Sequence, residues 1–307
     1  MANTLGHIGI QAPLSKLLFK KAELQWITVG CLIPDLAWIS QRLLLRLQII
    51  DPYTVAYYTT IQASLFFSTI LALGLSIFSR EPLRVFGLLL FNCILHLLLD
   101  SCQIKWGNGT LLLAPLSWHL ISFNLFWPEN PVSYLLTGLG FLHIIFVWRK
   151  SSDQDLRLSI PTKNQCFLLV FVSLFYLAAP FLFFSQSEAA DNRYLTTLHK
   201  KEQRLNRSVE FDRVPYSFDQ KSMKTFAQEI ILLTGQLPKE SCLLSIKGKF
   251  VAINTISVTD IHIHSFHRDW PTYLGIFFII TLWLETFYRQ KMTNWKDPAN
   301  LKPTNSI

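Results

Sequence analysis

The chain has 307 residues, half of them hydrophobic and only 16% charged, with a mean hydropathy of +0.31. That balance excludes an ordinary soluble protein and predicts a polytopic membrane protein. A formal charge of +8 would point a soluble domain toward nucleic acid. In a membrane protein the short inner loops carry part of it through the positive-inside bias, so no nucleic-acid partner is implied.

The N-terminus has no positive charge ahead of its first apolar stretch; Lys16, Lys20 and Lys21 come after it. That order argues against a cleaved signal peptide and predicts a start on the outer side. The first apolar segment, about Leu5 to Phe19 with Pro13 inside, would reach only about 22 Å as a helix against a hydrocarbon core of about 30 Å. It reads as tilted, kinked or re-entrant. A second short segment, Gln25 to Ser40, contains Gly30, Pro34 and Asp35. Pro34 would free backbone groups that only protein or a wet cavity can satisfy.

Longer runs at Thr60 to Ser79, Leu83 to Leu99, Val132 to Trp148, Cys166 to Phe184 and Thr272 to Tyr288 read as spans. The basic connections Arg80 to Arg84 and Arg149 to Lys163, and a tail with Arg289, Lys291 and Lys296, are predicted to be cytoplasmic. The alternation gives seven membrane segments in an inner or plasma membrane, N-terminus outside and C-terminus inside. His7, Asp35, Asp100 and His119 then all come to the outer face.

Residues 185–270 have the composition of a small soluble domain, placed outside by this topology. Ser217 with Gln220 makes a capping-box start for a helix carrying Phe226, Ile230 and Leu233, with Gly235 as its stop. Cys242 to Ile246 and Phe250 to His264 read as strands, with Lys247, Gly248 and Lys249 as the turn. Lys200 to Arg207 reads as a basic, solvated helix face. The fold class is mainly α: a multi-pass membrane helical bundle (1–184), a small α+β extracytoplasmic domain (185–270), and a last membrane helix with a cytoplasmic tail (271–307).

The chemistry concentrates in LHLLLDSCQIKWGNGTLLLAP, Leu95 to Pro115. His96 and Asp100 leave one helical face a turn apart, and ionisable groups at such depth are functional candidates. The plain alternative is a helix exit at Asp100 and a satisfied core histidine at His96. With His7 and Asp35 the set offers two imidazoles and two carboxylates, a donor set suited to zinc, or to manganese, and to metal-assisted hydrolysis. Each also has a bland reading: His7 as an interfacial polar residue, Asp35 as a cap after Pro34, His119 beside Trp118 as a surface anchor. The five cysteines, Cys31, Cys93, Cys102, Cys166 and Cys242, form no CxxC pair and read as small core residues.

The early His7, the GCLIPDL run from Gly30 to Leu36, and HLLLD followed by WGNGTLLLAPLSW from Trp106 to Trp118 resemble the predicted membrane-bound metal-dependent hydrolases of the DUF457 group. The resemblance covers roughly the first 150 residues. It implies a membrane hydrolase with His7, Asp35, His96 and Asp100 as metal ligands, and Asp35 or Asp100 free to take up a proton. A weaker likeness to trinuclear zinc phospholipases C and related nucleases makes a phosphoester the implied target, and the bilayer setting makes a lipid an attractive substrate.

Two departures stand out. The family's R-G-x-[ST]-H-S element is Thr59-Thr60-Ile61-Gln62-Ala63-Ser64 here, without its histidine, and Ala37 replaces an aspartate often found two positions after the P-D pair. Gln62 could orient a water in its place. His119, or Asp260, His262 and His264 on one strand face with His267 beyond, could fill the gap. A catalytically degenerate scaffold or binding protein on the same fold is the alternative. A transporter has little support, since no duplicated halves are visible. The oligomeric state is not legible.

Overall fold

The architecture is that of a computed structural model describing residues 3–19, 21–151 and 158–296. The loop assignments that rest on Lys20, on 149–157, and on Lys291 and Lys296 lie outside the described residues or side chains. Helix α1 (Thr4–Leu18) is capped by Asn3, whose side chain accepts from the Gly6 amide at 2.8 Å. Helix α2 (Leu24–Leu32) runs into a tight turn, Ile33–Asp35, and then α3 (Leu36–Leu47). The expected single segment from Gln25 to Ser40 is therefore three pieces, because Pro34 cannot continue the α2 hydrogen-bond ladder.

Helices α4 (Pro52–Gln62) and α5 (Leu65–Ser76) meet at a 71° bend. Each has its own cap: Asp51 accepts from the Thr54 amide at 2.7 Å, and Ser64 from the Phe67 amide at 3.4 Å. The span expected over Thr60 to Ser79 is corrected accordingly; the helix starts at Leu65, and Ser64 acts as a helix start inside the apolar run. Then come α6 (Pro82–Cys102), α7 (Pro131–Ser151), α8 (Lys163–Ala178), α9 (Phe184–Ala189) and α10 (Leu195–His199). Five strands precede the last helix, α11 (Trp270–Lys296): β1 (Ser208–Ser217), β2 (Ser222–Lys224), β3 (Ile230–Thr234), β4 (Cys242–Ala252) and β5 (Thr255–Ile263).

Among the described residues three helical stretches are long and apolar enough to cross a membrane: Pro82–Cys102, Lys163–Ala189 and Phe266–Gln290. The bent α4–α5 pair makes a fourth if taken as one span. The close crossing of α1 and α7 sets where His7 lies. It is made at Gly9 and Gly140, where a methyl group on Gly140 would overlap the Leu5 carbonyl. Small residues at such a crossing let two backbones touch.

The five strands form a closed barrel in the order β1-β2-β3-β5-β4, with β3 and β5 parallel and the other neighbours antiparallel. This is the five-stranded Greek-key arrangement of OB-type barrels, which by itself assigns no function. The helix expected after Ser217 is a correction: Ser217 ends β1, and Ile231 and Leu233 alternate inward along β3 while Ile230 and Leu232 stay exposed. A β-branched run with period two overrides the helical spacing of Phe226, Ile230 and Leu233. The turn expected at Lys247–Lys249 is also corrected. Strand β4 runs through it, with an irregularity in its pairing to β5 between Lys247 and Gly248, and the chain reverses at Ile253 and Asn254.

Lys200 to Arg207 is not a solvated face throughout. Arg204 is 0% exposed, and both of its terminal nitrogens lie 2.7 Å from the Glu229 carboxylate while its guanidinium also donates to the carbonyls of Thr197 and Leu198. Lys201 reaches the same carboxylate from the surface at 3.3 Å. Breaking a buried bidentate pair leaves one charge uncompensated. Arg204→Ala should therefore lower barrel stability by about 3–5 kcal/mol, against less than about 1 kcal/mol for Lys201→Ala, as read by denaturation of the purified full chain.

Candidate metal centre

His7 lies in the first turns of α1, Asp35 in the turn before α3, and His96 and Asp100 in the last turns of α6. Their side chains meet in one place. The His7 and His96 rings stack at 3.7 Å between centroids, 5° from parallel. His7 Nε2 is 3.6 Å from Asp100 Oδ1, and His96 Nε2 is 3.3 Å from Asp35 Oδ1 and 3.7 Å from Asp100 Oδ2. Both imidazoles are 0% exposed, Asp35 5% and Asp100 6%, so water contributes little to solvating them.

The decisive detail is the tautomer. His96 Nδ1 lies 2.7 Å from the Cys31 carbonyl oxygen, which can only accept, so Nδ1 carries the hydrogen and a neutral ring presents a bare lone pair at Nε2. That lone pair faces carboxylate oxygens. His7 Nε2, His96 Nε2 and Asp35 Oδ1 make no hydrogen bond in this arrangement. Acceptors crowded together in a dry site repel one another unless a proton or a cation sits between them. Ligand atoms of His7, His96 and Asp100 all lie within 4.8 Å of one another, close enough for one ion. A divalent ion therefore fits the donor set, and the carbonyl behind His96 is the kind of support that metal-bound imidazoles have. Behind His7, the Gln11 amide sits 3.5 Å from Nδ1 and accepts from the Cys31 thiol at 2.7 Å.

A cation already borders the cluster. Lys105 Nζ is 2.9 Å from Asp100 Oδ1 and only 5% of the residue is exposed. Lys105 was not singled out from sequence, although it stands beside Trp106 in the same motif. Arg193 was missed as well. It lines the same small cleft, of about 20 Å³, with Asp35, His96, Asp100 and Lys105, a space on the scale of one water molecule. Burial lowers the Arg193 guanidinium to about 10, which leaves it charged at neutral pH.

Gln62 is elsewhere. Its amide donates to the Tyr58 hydroxyl at 3.0 Å and the Tyr176 carbonyl at 3.2 Å, and its neighbours Thr60 and Ala63 line the cleft instead. The bend after α4 turns these positions toward the acids and Gln62 toward α8. In the resemblance to the DUF457 hydrolases, the histidine of that element falls at Ala63. His119 is exposed and does not join the cluster. Ala37 is buried.

His262 in β5 and His264, just past the end of that strand, do lie side by side, but the carboxylate that joins them is Glu129, ahead of α7; Asp260 stays exposed opposite Lys247. His264 Nδ1 and Glu129 Oε1 are 2.8 Å apart, His264 Nε2 and Ser245 Oγ 2.8 Å, and His262 stacks on Trp127 at 3.6 Å. By spacing this group too could hold an ion. Arg268 already supplies positive charge there, with Nη1 3.1 Å from His264 Nδ1 and 3.7 Å from Glu129. This cluster reads as the joint between the barrel and the loop before α7. No known family profile, curated protein or solved structure matches the chain.

Burial would raise the Glu129 carboxyl, but the hydrogen bond from His264 and the charge of Arg268 outweigh it and hold it near 2, below the ordinary 4.5. A depressed carboxyl contributes stability that is complete above its unfolded value and is lost as pH falls through its folded one. Burial, with His264 alongside, also depresses His262, so charging it in acid opposes folding. Thermal unfolding of the full chain should therefore lose stability from about pH 4.5 down to about 2, and Glu129→Gln should flatten that part of the profile.

Proposed function

We propose that the chain is a multi-pass membrane protein with a metal-dependent hydrolytic site at the outer membrane face, acting on a phosphoester or related bond. The observation that carries this reading is the placement of His96 Nε2, 3.3 Å from Asp35 Oδ1 and 3.7 Å from Asp100 Oδ2 in a dry cluster with His7. The resemblance to the DUF457 hydrolases over the first 150 residues agrees with it. Zinc suits the donor set best, and manganese next. Bound there, such an ion would supply a water of lowered pKa and stabilise charge on the scissile group.

The chain's own residues have definable parts in this reading. The Cys31 carbonyl fixes the His96 ring, and His7 stacks against it and holds its orientation. Asp35, whose Oδ1 lacks a hydrogen-bond partner, is the better placed of the two acids to take up a proton, because Asp100 is engaged by Lys105. Lys105 offsets negative charge as it develops. Helix α3 also supports a setting at the boundary of the bilayer. Its exposed Leu36, Ile39, Leu43 and Leu47 lie beside Arg42 and Arg46, the pattern of a helix in the membrane interface.

A second reading, a scaffold without catalysis, is favoured by Lys105 and Ala63: one supplies a resident cation, the other replaces an imidazole. Metal analysis and phosphodiester hydrolysis by the purified protein separate the two. The hydrolase reading expects bound metal in the wild type, a loss of at least about tenfold in metal affinity for His96→Ala, and loss of turnover for Asp35→Asn. Wild type without metal would overturn it. Ala63→His tests the lost ligand directly: it should raise metal affinity and turnover in a weakened enzyme and leave both unchanged in a scaffold.

A further inference from the structure

The cleft at the acid cluster does not end there. It shares Lys105, Asn108, Leu120 and Arg193 with a second, wider cavity of about 450 Å³ that lies between the loop after α6 and the barrel. The inner space holds little more than a water, while the outer one lies within the range of small-ligand sites, about 300–1,000 Å³. At the neck between them stand two cations.

Arg193 is the unusual one. Its guanidinium lies over the Trp38 ring at 3.8 Å and donates to the Asn108 side-chain oxygen, yet its Nε is buried without a hydrogen-bond partner. No carboxylate among the described residues lies within ion-pair distance of it. Arg193 is half-buried, and the acids whose charge reaches it, Asp212 and Asp100, stand beyond ion-pair distance; a guanidinium in such a place is normally paired more closely. The backbone that presents it is strained: Asp191, Arg193 and Tyr194 all adopt left-handed φ, at 46°, 60° and 58°. Asp191 holds that turn by accepting from the amides of Thr196 and Thr197 at 2.8 and 3.1 Å. Strain of this kind persists where surrounding structure fixes it and clusters at ligand sites. Lys105 faces the neck from the other side, tied to Asp100 at 2.9 Å with further ammonium hydrogens to offer.

We propose that Arg193 and Lys105 are the anion-binding wall of the substrate site, and that they take the phosphate of a phosphorylated polar headgroup whose remainder fills the outer cavity. Arginine's planar fork and lysine's point charge are complementary means of holding phosphate oxygens. The outer cavity offers Trp106, Tyr194, Ser122 and Asn124 to the rest of the headgroup. This deepens the hydrolase reading by naming the group bound beside the acids, and it rests on that reading only for what happens to the bond. The headgroup can belong to a lipid or to a soluble ester, since the chemistry recognised is the same.

The test is titration of the purified, chelator-treated full chain with inorganic phosphate, followed by phosphorus NMR. Wild type is expected to bind, with affinity falling as salt rises. Arg193→Gln and Lys105→Gln should each weaken binding at least about tenfold, one ion-assisted contact being worth that much, and Arg193→Lys should recover part of it. A circular dichroism spectrum like that of the wild type shows that the variants have folded; if Arg193→Gln unfolds, Arg193→Lys and Lys105→Gln carry the comparison. Stronger competition by dioctanoyl phosphatidic acid than by glycerol 3-phosphate assigns a lipid, and the reverse a soluble ester; either supports the subsite. No phosphate binding, or equal binding by wild type and both glutamine variants, overturns it. His96→Ala separates the two proposals. If the hydrolase reading fails, phosphate still binds that variant. If the subsite fails, Arg193→Gln keeps its metal and hydrolyses with unchanged KM.

Discussion

One hydrogen bond sets the character of the helical half: the one from His96 Nδ1 to the Cys31 carbonyl. It links α6 to the end of α2, chooses the tautomer, and leaves Nε2 facing carboxylates where solvent hardly reaches. Other features of the fold serve that placement. The glycine crossing of α1 and α7 brings His7 over the same ring, and the proline turn after α2 delivers Asp35. Deeper in the bundle, Asn92 satisfies Ser15 at 3.0 Å and the Leu88 carbonyl at 2.8 Å, so the helices are locked by polar contacts as well as by apolar packing.

The chain solves a charge problem in layers. The acids and imidazoles are crowded at the end of the helices, Lys105 balances one carboxylate, and Arg193 arrives from beyond α9 to face the same cleft. The barrel is anchored so that this geometry holds. Glu210 accepts from the Gly107 amide at 2.7 Å, and the Glu129, His264 and Arg268 joint fixes the other side. Gly107 itself has φ of +66°, and any side chain there would run into the Glu210 backbone. That is why the loop after α6 can lie so close to β1.

Much of the acid cluster was legible because it obeys local rules. His96 and Asp100 stand one helical turn apart, and the glycine, proline and aspartate around Pro34 mark a turn in an apolar run. Lys105 and Arg193 were not legible, since nothing in spacing tells that residues nearly ninety positions apart share a neck. Glu129 was hidden for the same reason: only the closed barrel carries His262 and His264 to it. The barrel region misled more directly. Phe226, Ile230 and Leu233 fit a helical stripe, but the alternation within Ile230–Thr234 belongs to a strand, and pairing with β2 and β5 decided between them. Arg204 shows the opposite limit: a run of charges looked solvated until its partner, Glu229, came from another element. Gln62 points toward α8 because the 71° bend after α4 turns it away from the acids, a reorientation that residue spacing along the chain does not encode.

The shared neck between the two cavities has a consequence for how the protein can be divided. The acids come from its first hundred residues and Arg193 from near the start of the soluble region, so neither part encloses the chamber alone. A fragment cut around the barrel would leave the imidazoles behind, and one ending before α9 would be an open cleft missing its arginine. The smallest piece that encloses the chamber includes both, and any lineage that shed either part would have shed the chamber with it.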